Sequence, residues 1–491
     1  MKRFALLAAA AASAPLAAQT AADPQPAITQ PAAPSPPPTP VKVDPFVVKL
    51  RDAALKDDLA YEITEGLTTE VGPRLAATEA EARARTWAVA KLKSLGFRNV
   101  RVEPFAMPVW VRGQETAEIV SPFPQKLVLT ALGNSAATPP EGITAPVVLF
   151  REYNDLLAAP DGSLKGKIAY ISHAMAATQD GSSYGAYGVA RRAGPAIASR
   201  KGAVAVVIRS IGTDRHRLPH AGGTNFPAGV QPIPAAALSI PDAEQLERVA
   251  ARGKPVTMRL VLTPRQLGQG ESGNVIAEVP GTNPDAGIVL IGGHLDSWDL
   301  GTGAIDDASG VGITTAAAKR IMDSGRRPRR TIRVVWFGAE EVGVFGGRAY
   351  AARHGSEPHA IAAESDFGAD RIWRFETNFA PGAARVAEQL GAALAPLGIS
   401  RGTNKAGDGA DVGPMFALGV GAVDLNQSGL RYFDIHHTPD DTLERVDVEQ
   451  MRQNVAAWTA MLAVTAYAPE ELAPGAPPQI GRKDGMNCAE L

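Results

Sequence analysis

The sequence predicts an α/β protein, a mixed and mostly parallel sheet flanked by helices with a β-rich module inserted into it. Three observations lead there. After Asn274, apolar runs of strand length alternate with helix-length segments, the pattern of a chain that returns repeatedly to one sheet. Between Glu115 and Pro264 the texture changes to short β runs cut by Gly, Pro and Asp turns. The length, 491 residues, suits three domains or one large domain carrying an insertion at roughly 150 residues per domain. Composition narrows the function classes. With 45% hydrophobic and 20% charged residues the chain is an ordinary globular one, and a formal charge of −2 supplies no basic field to hold nucleic acid or anionic lipid.

Taken in order, Lys2 and Arg3 precede an apolar run from Phe4 to Ala12 and a small-residue stretch ending near Ala18. Residues 1–18 therefore read as a secretory signal peptide, and the protein as exported, periplasmic or secreted. A membrane span needs about 20 apolar residues, and no later segment offers an uninterrupted one, so stable membrane insertion is not expected. Residues 19–45 hold nine prolines and almost no large apolar side chains, the composition of an extended linker. Within 46–114, Thr78-Glu79 opens a helix through Trp87, Val89, Leu92 and Leu95 that Gly96 stops, and a strand follows over Asn99–Phe105. The insert, 115–264, carries β runs at Val147–Phe150, Ile168–Ser172, Ala203–Arg209 and Ala235–Ile240. In 265–470, strands Ile288–Gly292, Ile332–Phe337, Ala360–Glu364 and Val420–Leu425 alternate with helices Ser309–Ser324, Ala383–Leu397 and Asp447–Ala466. Residues 471–491 read as a C-terminal tail. Cys488, the single cysteine, excludes an intrachain disulfide framework and any cysteine-built zinc or iron–sulfur site.

Chemistry-bearing residues gather where successive apolar strands stop, the edge at which open α/β sheets bind ligands. The first strand runs into Gly292-Gly293-His294-Leu295-Asp296, and Asp306-Asp307 follows twelve residues beyond His294. The second ends in Ala339-Glu340-Glu341, the third in Glu364-Ser365-Asp366, and the last block reaches His436-His437-Thr438-Pro439-Asp440-Asp441. Singly these are ordinary: adjacent acids suit a helix start and Asp440-Asp441 a cap. Together they place imidazoles and carboxylates in four consecutive loops, where neighbouring buried anions repel unless a cation joins them. Nitrogen and oxygen donors without thiolate favour zinc, with manganese or cobalt as substitutes.

His294-x-Asp296, Asp306-Asp307, Glu340-Glu341, Asp366 and His437-Thr438-x-x-Asp441, spaced by 12, 34 and 25 residues between groups, resemble the co-catalytic zinc exopeptidases, a family that includes bacterial aminopeptidases and glutamate carboxypeptidases. The strings His-Leu-Asp-Ser-Trp-Asp (294–299), Ala-Glu-Glu (339–341), Glu-Ser-Asp (364–366) and His-His (436–437) are similar to its plasma glutamate carboxypeptidase (carboxypeptidase Q) branch in particular. The resemblance spans roughly residues 46–470. It implies the zinc exopeptidase fold, with 46–114 and 265–470 as catalytic domain, and two Zn2+ per chain bridged by Asp306. One zinc would take His294 and Asp366, the other Glu341 and His437, with Glu340 as general base and Asp296 orienting His294. Glu364 rivals Asp366, since period-two spacing puts both on one strand face. Many aminopeptidase relatives have tyrosine just before the last zinc histidine, where this chain has His436; His436 or Tyr432 would steady the oxyanion. Asp411 falls in a loop that lines the cleft in relatives.

The insert, with Gly166-Lys167-Ile168-Ala169-Tyr170-Ile171 and Lys201-Gly202-Ala203-Val204-Ala205-Val206-Val207, resembles a protease-associated domain. Its His173, His216 and His220 read as surface or loop residues. The function implied is hydrolysis of a terminal peptide bond of short peptides or dipeptides, and the relatives also imply a homodimer. The motif set serves both an aminopeptidase and a carboxypeptidase or dipeptidase. Arg371, Arg374, Arg401 and Arg431 could bind a carboxylate but read as solvated charge. A metal-free receptor-like binding module and a single-zinc cyclase are the rivals from other classes.

Overall fold

The computed structural model describes residues 41–475. The expected signal peptide, most of the Pro-rich linker, and the tail beyond 475 with Cys488 lie outside the described residues.

Sixteen strands among the described residues form two eight-stranded sheets. One holds β1 (Arg98–Val111), then β10 (Arg265–Val279), β11 (Ile288–His294), β12 (Ile332–Phe337), β13 (His359–Glu364), β14 (Ile372–Asn378), β15 (Ser400–Arg401) and β16 (Gly421–Gln427), in the order β1-β10-β12-β11-β13-β16-β14-β15. Its four central strands, β12, β11, β13 and β16, run parallel. Such strands are covered on both faces, so they read as unbroken apolar runs, and their side chains part with period two. Val289 and Ile291, Val334 and Trp336, Ile361 and Ala363 enter one core with helices Pro45–Ala54, Leu59–Glu70, Glu79–Ser94, Ser309–Asp323, Ala384–Leu394 and Val448–Thr465. Leu290, Val335, Phe337 and Ala362 face the other way, onto Tyr350 and Met415. Thr78 caps the helix that the sequence placed after it, its hydroxyl accepting from Glu81 N.

The second sheet lies between β1 and β10 in the chain. It comprises β2 (Glu115–Ser121), β3 (Gln125–Leu127), β4 (Leu129–Ala131), β5 (Ile143–Phe150), β6 (Ile168–Ile171), β7 (Ala205–Arg209), β8 (Ala235–Leu238) and β9 (Thr257–Leu262), ordered β3-β2-β9-β5-β6-β7-β8-β4. The segment is less purely β than its sequence texture suggested. Helix Gly194–Arg200, with shorter ones, crosses from β6 to the parallel β7, and helix Ile240–Ala250 follows β8. The strand expected through Ile240 stops at Leu238, because the Ser239 hydroxyl accepts from Asp242 N and Pro241 opens a helix. Two other differences stand out. Helix Pro45–Ala54 begins inside the expected linker, capped by Asp44, and the start of the expected tail is docked, Leu472 being buried with its carbonyl accepting from Ala380 N.

Arg330 ties that chain end down. It is buried and donates to the carbonyls of Ala286, Thr465, Ala468 and Glu470. Removing the guanidinium strands buried acceptors, each costing about 1–3 kcal/mol, so Arg330→Ala should destabilise the protein by about 3 kcal/mol or more. A lowered urea midpoint, only partly restored in Arg330→Lys, is the expected result; an unchanged midpoint would show that the carbonyls find water.

Candidate active site

Register brings the carboxyl ends of the central strands level: His294 stands opposite Phe337, and Gly292 opposite Glu364. The loops leaving those ends meet. His294 Nε2 lies 2.9 Å from Asp306 Oδ1 and 3.3 Å from Asp366 Oδ1. His437 Nε2 lies 2.9 Å from Glu341 Oε2 and 3.2 Å from Asp306 Oδ2. Asp306 thus stands between two imidazole–carboxylate pairs, one oxygen turned to each. Glu364 does not join them; its Oε2 accepts from the Asp411 and Val412 amides. Period-two spacing fails to pair it with Asp366 because β13 ends at Glu364 and the chain turns there.

Electrostatics show what the cluster lacks. Burial opposes charge on His294 and His437, yet Asp366 with Asp306, and Glu341 with Asp306, hold both imidazoles well above their ordinary pKa. Burial pushes Glu340 well above the usual carboxylate range, and Asp366, Glu341 and Asp411 add to it; burial likewise raises Glu341 to about 6. Asp306 Oδ2 is buried without a hydrogen-bond partner despite its nearness to His437. Three overlapping groups, His294–Asp306–Glu341, Asp306–His436–His437 and His294–Asp307–Asp366, each bring donor atoms within 4.8 Å of one another. All-nitrogen-and-oxygen donors facing inward fit divalent metal.

Asp296 serves two sides. Its carboxylate, expected to orient His294, lies 3.7 Å from His294 Nδ1 and accepts from the Glu340 and Glu341 amides at 3.0 and 3.3 Å, while its main-chain carbonyl meets the same Nδ1 at 2.9 Å. The carboxylate thus joins the imidazole to the acidic loop. Asp307 accepts from His294 N and Gly310 N, and Asp441 accepts from Ala304 N and Ile305 N. Only glycine fits at 310, where a Cβ would stand 1.8 Å from the Ser365 carbonyl oxygen. Asp411 is fully buried and accepts from Gly347 N, a place behind the acidic loop. Ala339, Val344 and His437 adopt positive φ of 58°, 56° and 62°, backbone that persists only where surroundings enforce it.

Several contributors escape sequence reasoning. Arg74, fully buried, donates to the carbonyls of Leu295, Thr302 and Gly303 and so closes the loop between His294 and Asp306. Arg191 of the 115–264 segment is buried beside His437, donates to the Ala221 carbonyl and the Tyr184 hydroxyl, and leaves Nε without a partner. A lone arginine in a helix gives no signal in sequence; its neighbours come from distant segments. His216 is half exposed as expected, whereas His173 and His220 are buried, one stacked on Tyr187 and the other paired with Asp214. His436 stacks on His437, and Tyr432 on Phe367. Arg371, Arg401 and Arg431 are exposed and Arg374 half-buried.

Comparison with known proteins shows the family of the chain. Residues 274–462 match the model of peptidase family M28. The chain is 34% identical to carboxypeptidase Q of Bos taurus over 416 residues, 84% of this chain and 86% of that one. It is 26% identical to aminopeptidase YwaD of Bacillus subtilis over 418 residues, 82% and 83% of the two chains. The crystal structure of a peptidase M28 precursor from Shewanella amazonensis superposes with TM-score 0.86 at 48% identity, covering 88% of this chain and 98% of that one. A Bacillus subtilis zinc aminopeptidase shares the fold, with TM-score 0.60 at 21% identity, covering 84% and 98%. The chain belongs to peptidase family M28, and is a metallopeptidase.

Arg74→Met removes donors to three loop carbonyls without disturbing any inward-facing donor. Peptidase activity should fall at least about tenfold, the cost of second-sphere support at metal sites, with a lowered melting temperature; full activity in a folded variant would show that the loop holds its own shape.

Proposed function

We propose that this protein is an exported zinc-dependent exopeptidase that hydrolyses a terminal peptide bond of short peptides, dipeptides among them. The carrying observation is Asp306 between the His294–Asp366 and Glu341–His437 pairs. That arrangement supports two Zn2+ per chain, one on His294 and Asp366, one on Glu341 and His437, with Asp306 shared. Bound there, the ions would supply Lewis acidity to the scissile carbonyl and make water a stronger acid. Glu340, half-buried and outside the donor set, accepts a proton from the attacking water and returns it to the departing nitrogen as the C–N bond breaks. The hydroxyl goes to the acyl carbon, and the hydrogen to the amine. His436, its Nε2 3.7 Å from Asp306 Oδ2, or Tyr432, beside it at 5.0 Å between ring centroids, would steady the carbonyl oxygen.

The 115–264 segment, in this reading a protease-associated insert, borders the site at His437, where its Arg191 and Ala221 meet that residue. The similarity to carboxypeptidase Q of Bos taurus over 84% of this chain favours a substrate with a free carboxylate over an aminopeptidase substrate. Export is supported by the basic-then-apolar start of the chain, and no described helix is long and apolar enough to cross a membrane. A homodimer rests on the family resemblance alone.

The test is a dipeptide panel in free, N-acetylated and C-amidated forms, followed by mass spectrometry with zinc and with a chelator. Cleavage that needs zinc and a free carboxylate is expected; amides cleaved as readily as acids would establish an aminopeptidase, and no cleavage with zinc supplied would sink the reading. Glu340→Gln should lower kcat by about 10²–10⁴-fold with metal still bound.

A further inference from the structure

The 115–264 segment does more than border the cluster; it grips the loop that delivers His437. Gly429 N donates to the Gln179 carbonyl, Thr213 N to the Phe433 carbonyl, and the Thr213 hydroxyl to Asp434 Oδ1. Tyr184 stacks on Phe433 at 4.7 Å. The grip is tightest at the end. His220 Nδ1 meets the His436 carbonyl at 2.7 Å, Ala221 N donates to the His437 carbonyl at 2.9 Å, and the Ala221 carbonyl lies 3.2 Å from His437 Nδ1.

His220 is itself held. Its Nε2 meets Asp214 Oδ2 at 2.6 Å, with both side chains buried, and its amide donates to Ser210 Oγ, which donates in turn to the Leu238 carbonyl at the end of β8. The other Asp214 oxygen accepts from His216 N. Both ring nitrogens therefore face oxygens that only accept, so the ring orientation is fixed from two sides. Buried polar groups joined this way act as one unit. The unit ends on His437, a non-glycine residue in left-handed backbone whose position its surroundings must enforce.

We propose that the buried Asp214–His220 pair is a positioning device for His437: it clamps the His436 carbonyl, sets the Ala221 main chain against His437, and so fixes the direction of the His437 imidazole. Residues of the inserted segment, about 220 positions away in sequence, thereby set the affinity of one metal position. Neither Asp214 nor His220 touches substrate. The inference rests on the proposed zinc site, with His437 as donor, and concerns what aims that donor.

The test uses the full chain and measures zinc and cobalt affinity by competition with a chromophoric chelator, the visible spectrum of the cobalt-loaded protein, and kcat and KM separately. His220→Ala should weaken one of two metal equivalents by about 10–100-fold, the usual cost of losing an orienting partner, while the other equivalent stays within about twofold. The cobalt bands of the weakened position should shift, and kcat should fall more than KM rises. Gly212→Ala should act in the same direction without altering His220, because its Cβ would stand 2.2 Å from His220 Nε2 and displace the ring. His220→Gln, which keeps a donor for the His436 carbonyl, should recover part of the affinity. If His220→Ala does not fold, Gly212→Ala and His220→Gln carry the comparison. Leu156→Ala, in the apolar core of the same segment, controls for loss of stability and should leave both affinities alone. Two metals bound with unchanged affinity and spectrum in folded His220→Ala or Gly212→Ala, with only a lower melting temperature, would overturn the proposal. Wild-type protein that binds no metal would instead overturn the zinc reading, and this inference with it.

Discussion

Carboxylates crowded at hydrogen-bond distance in a buried place repel one another, and that repulsion sets the terms for the rest of this fold. Asp306, Asp366 and Glu341 meet at one sheet edge with His294 and His437 between them. Against the effect of burial, the neighbouring acids raise both imidazoles well above their ordinary pKa, so each acid favours positive charge beside it. Divalent metal bound there would do the same work with more charge in less space. An arrangement so costly in isolation makes sense only where surrounding structure over-determines it and where charge arriving from outside relieves it.

The over-determination is visible in the supports. The parallel strands β11 and β12 end level and β13 ends beside them, so the loops that leave this edge deliver donors from several sides. Asp296 holds the amides of the Glu340–Glu341 loop, Asp307 and Asp441 hold the turn around Asp306, and Arg74 closes the loop from His294. None of these polar groups faces bulk water, and each meets main-chain partners, so each loop is fixed by bonds whose loss would leave a buried group unsatisfied. The inserted segment completes the set from outside the main sheet by clamping the 429–437 loop.

Elements read correctly from sequence share one property: their apolar side chains follow a period that needs no partner to recognise. The runs of β11, β12, β13 and β16 and the helices at 309–323 and 448–465 are of this kind. Strand β14, Ile372–Asn378, was missed because Trp373, Arg374 and Glu376 give it a half-buried, mixed pattern. The helix Ile240–Ala250 was missed because Ser239-Ile240-Pro241 continues an apolar strand run before the cap takes effect. Where the sequence showed an acid, it did not show which atoms would be used: Asp296 meets the His294 ring with its main-chain carbonyl as well as its carboxylate, which also holds two amides.

What the sequence determined by itself was the α/β architecture, the family, and the donors that meet at the sheet edge, because strand periodicity and ordered motifs are local properties that survive without coordinates. Only the tertiary structure decided which carboxylate faces His294, what Asp296 holds, and that Arg74, Arg191 and the Asp214–His220 pair belong to the site at all. Their partners lie tens to hundreds of residues away, and a hydrogen bond or a buried charge acquires its meaning from what stands within a few ångströms, which chain order does not encode.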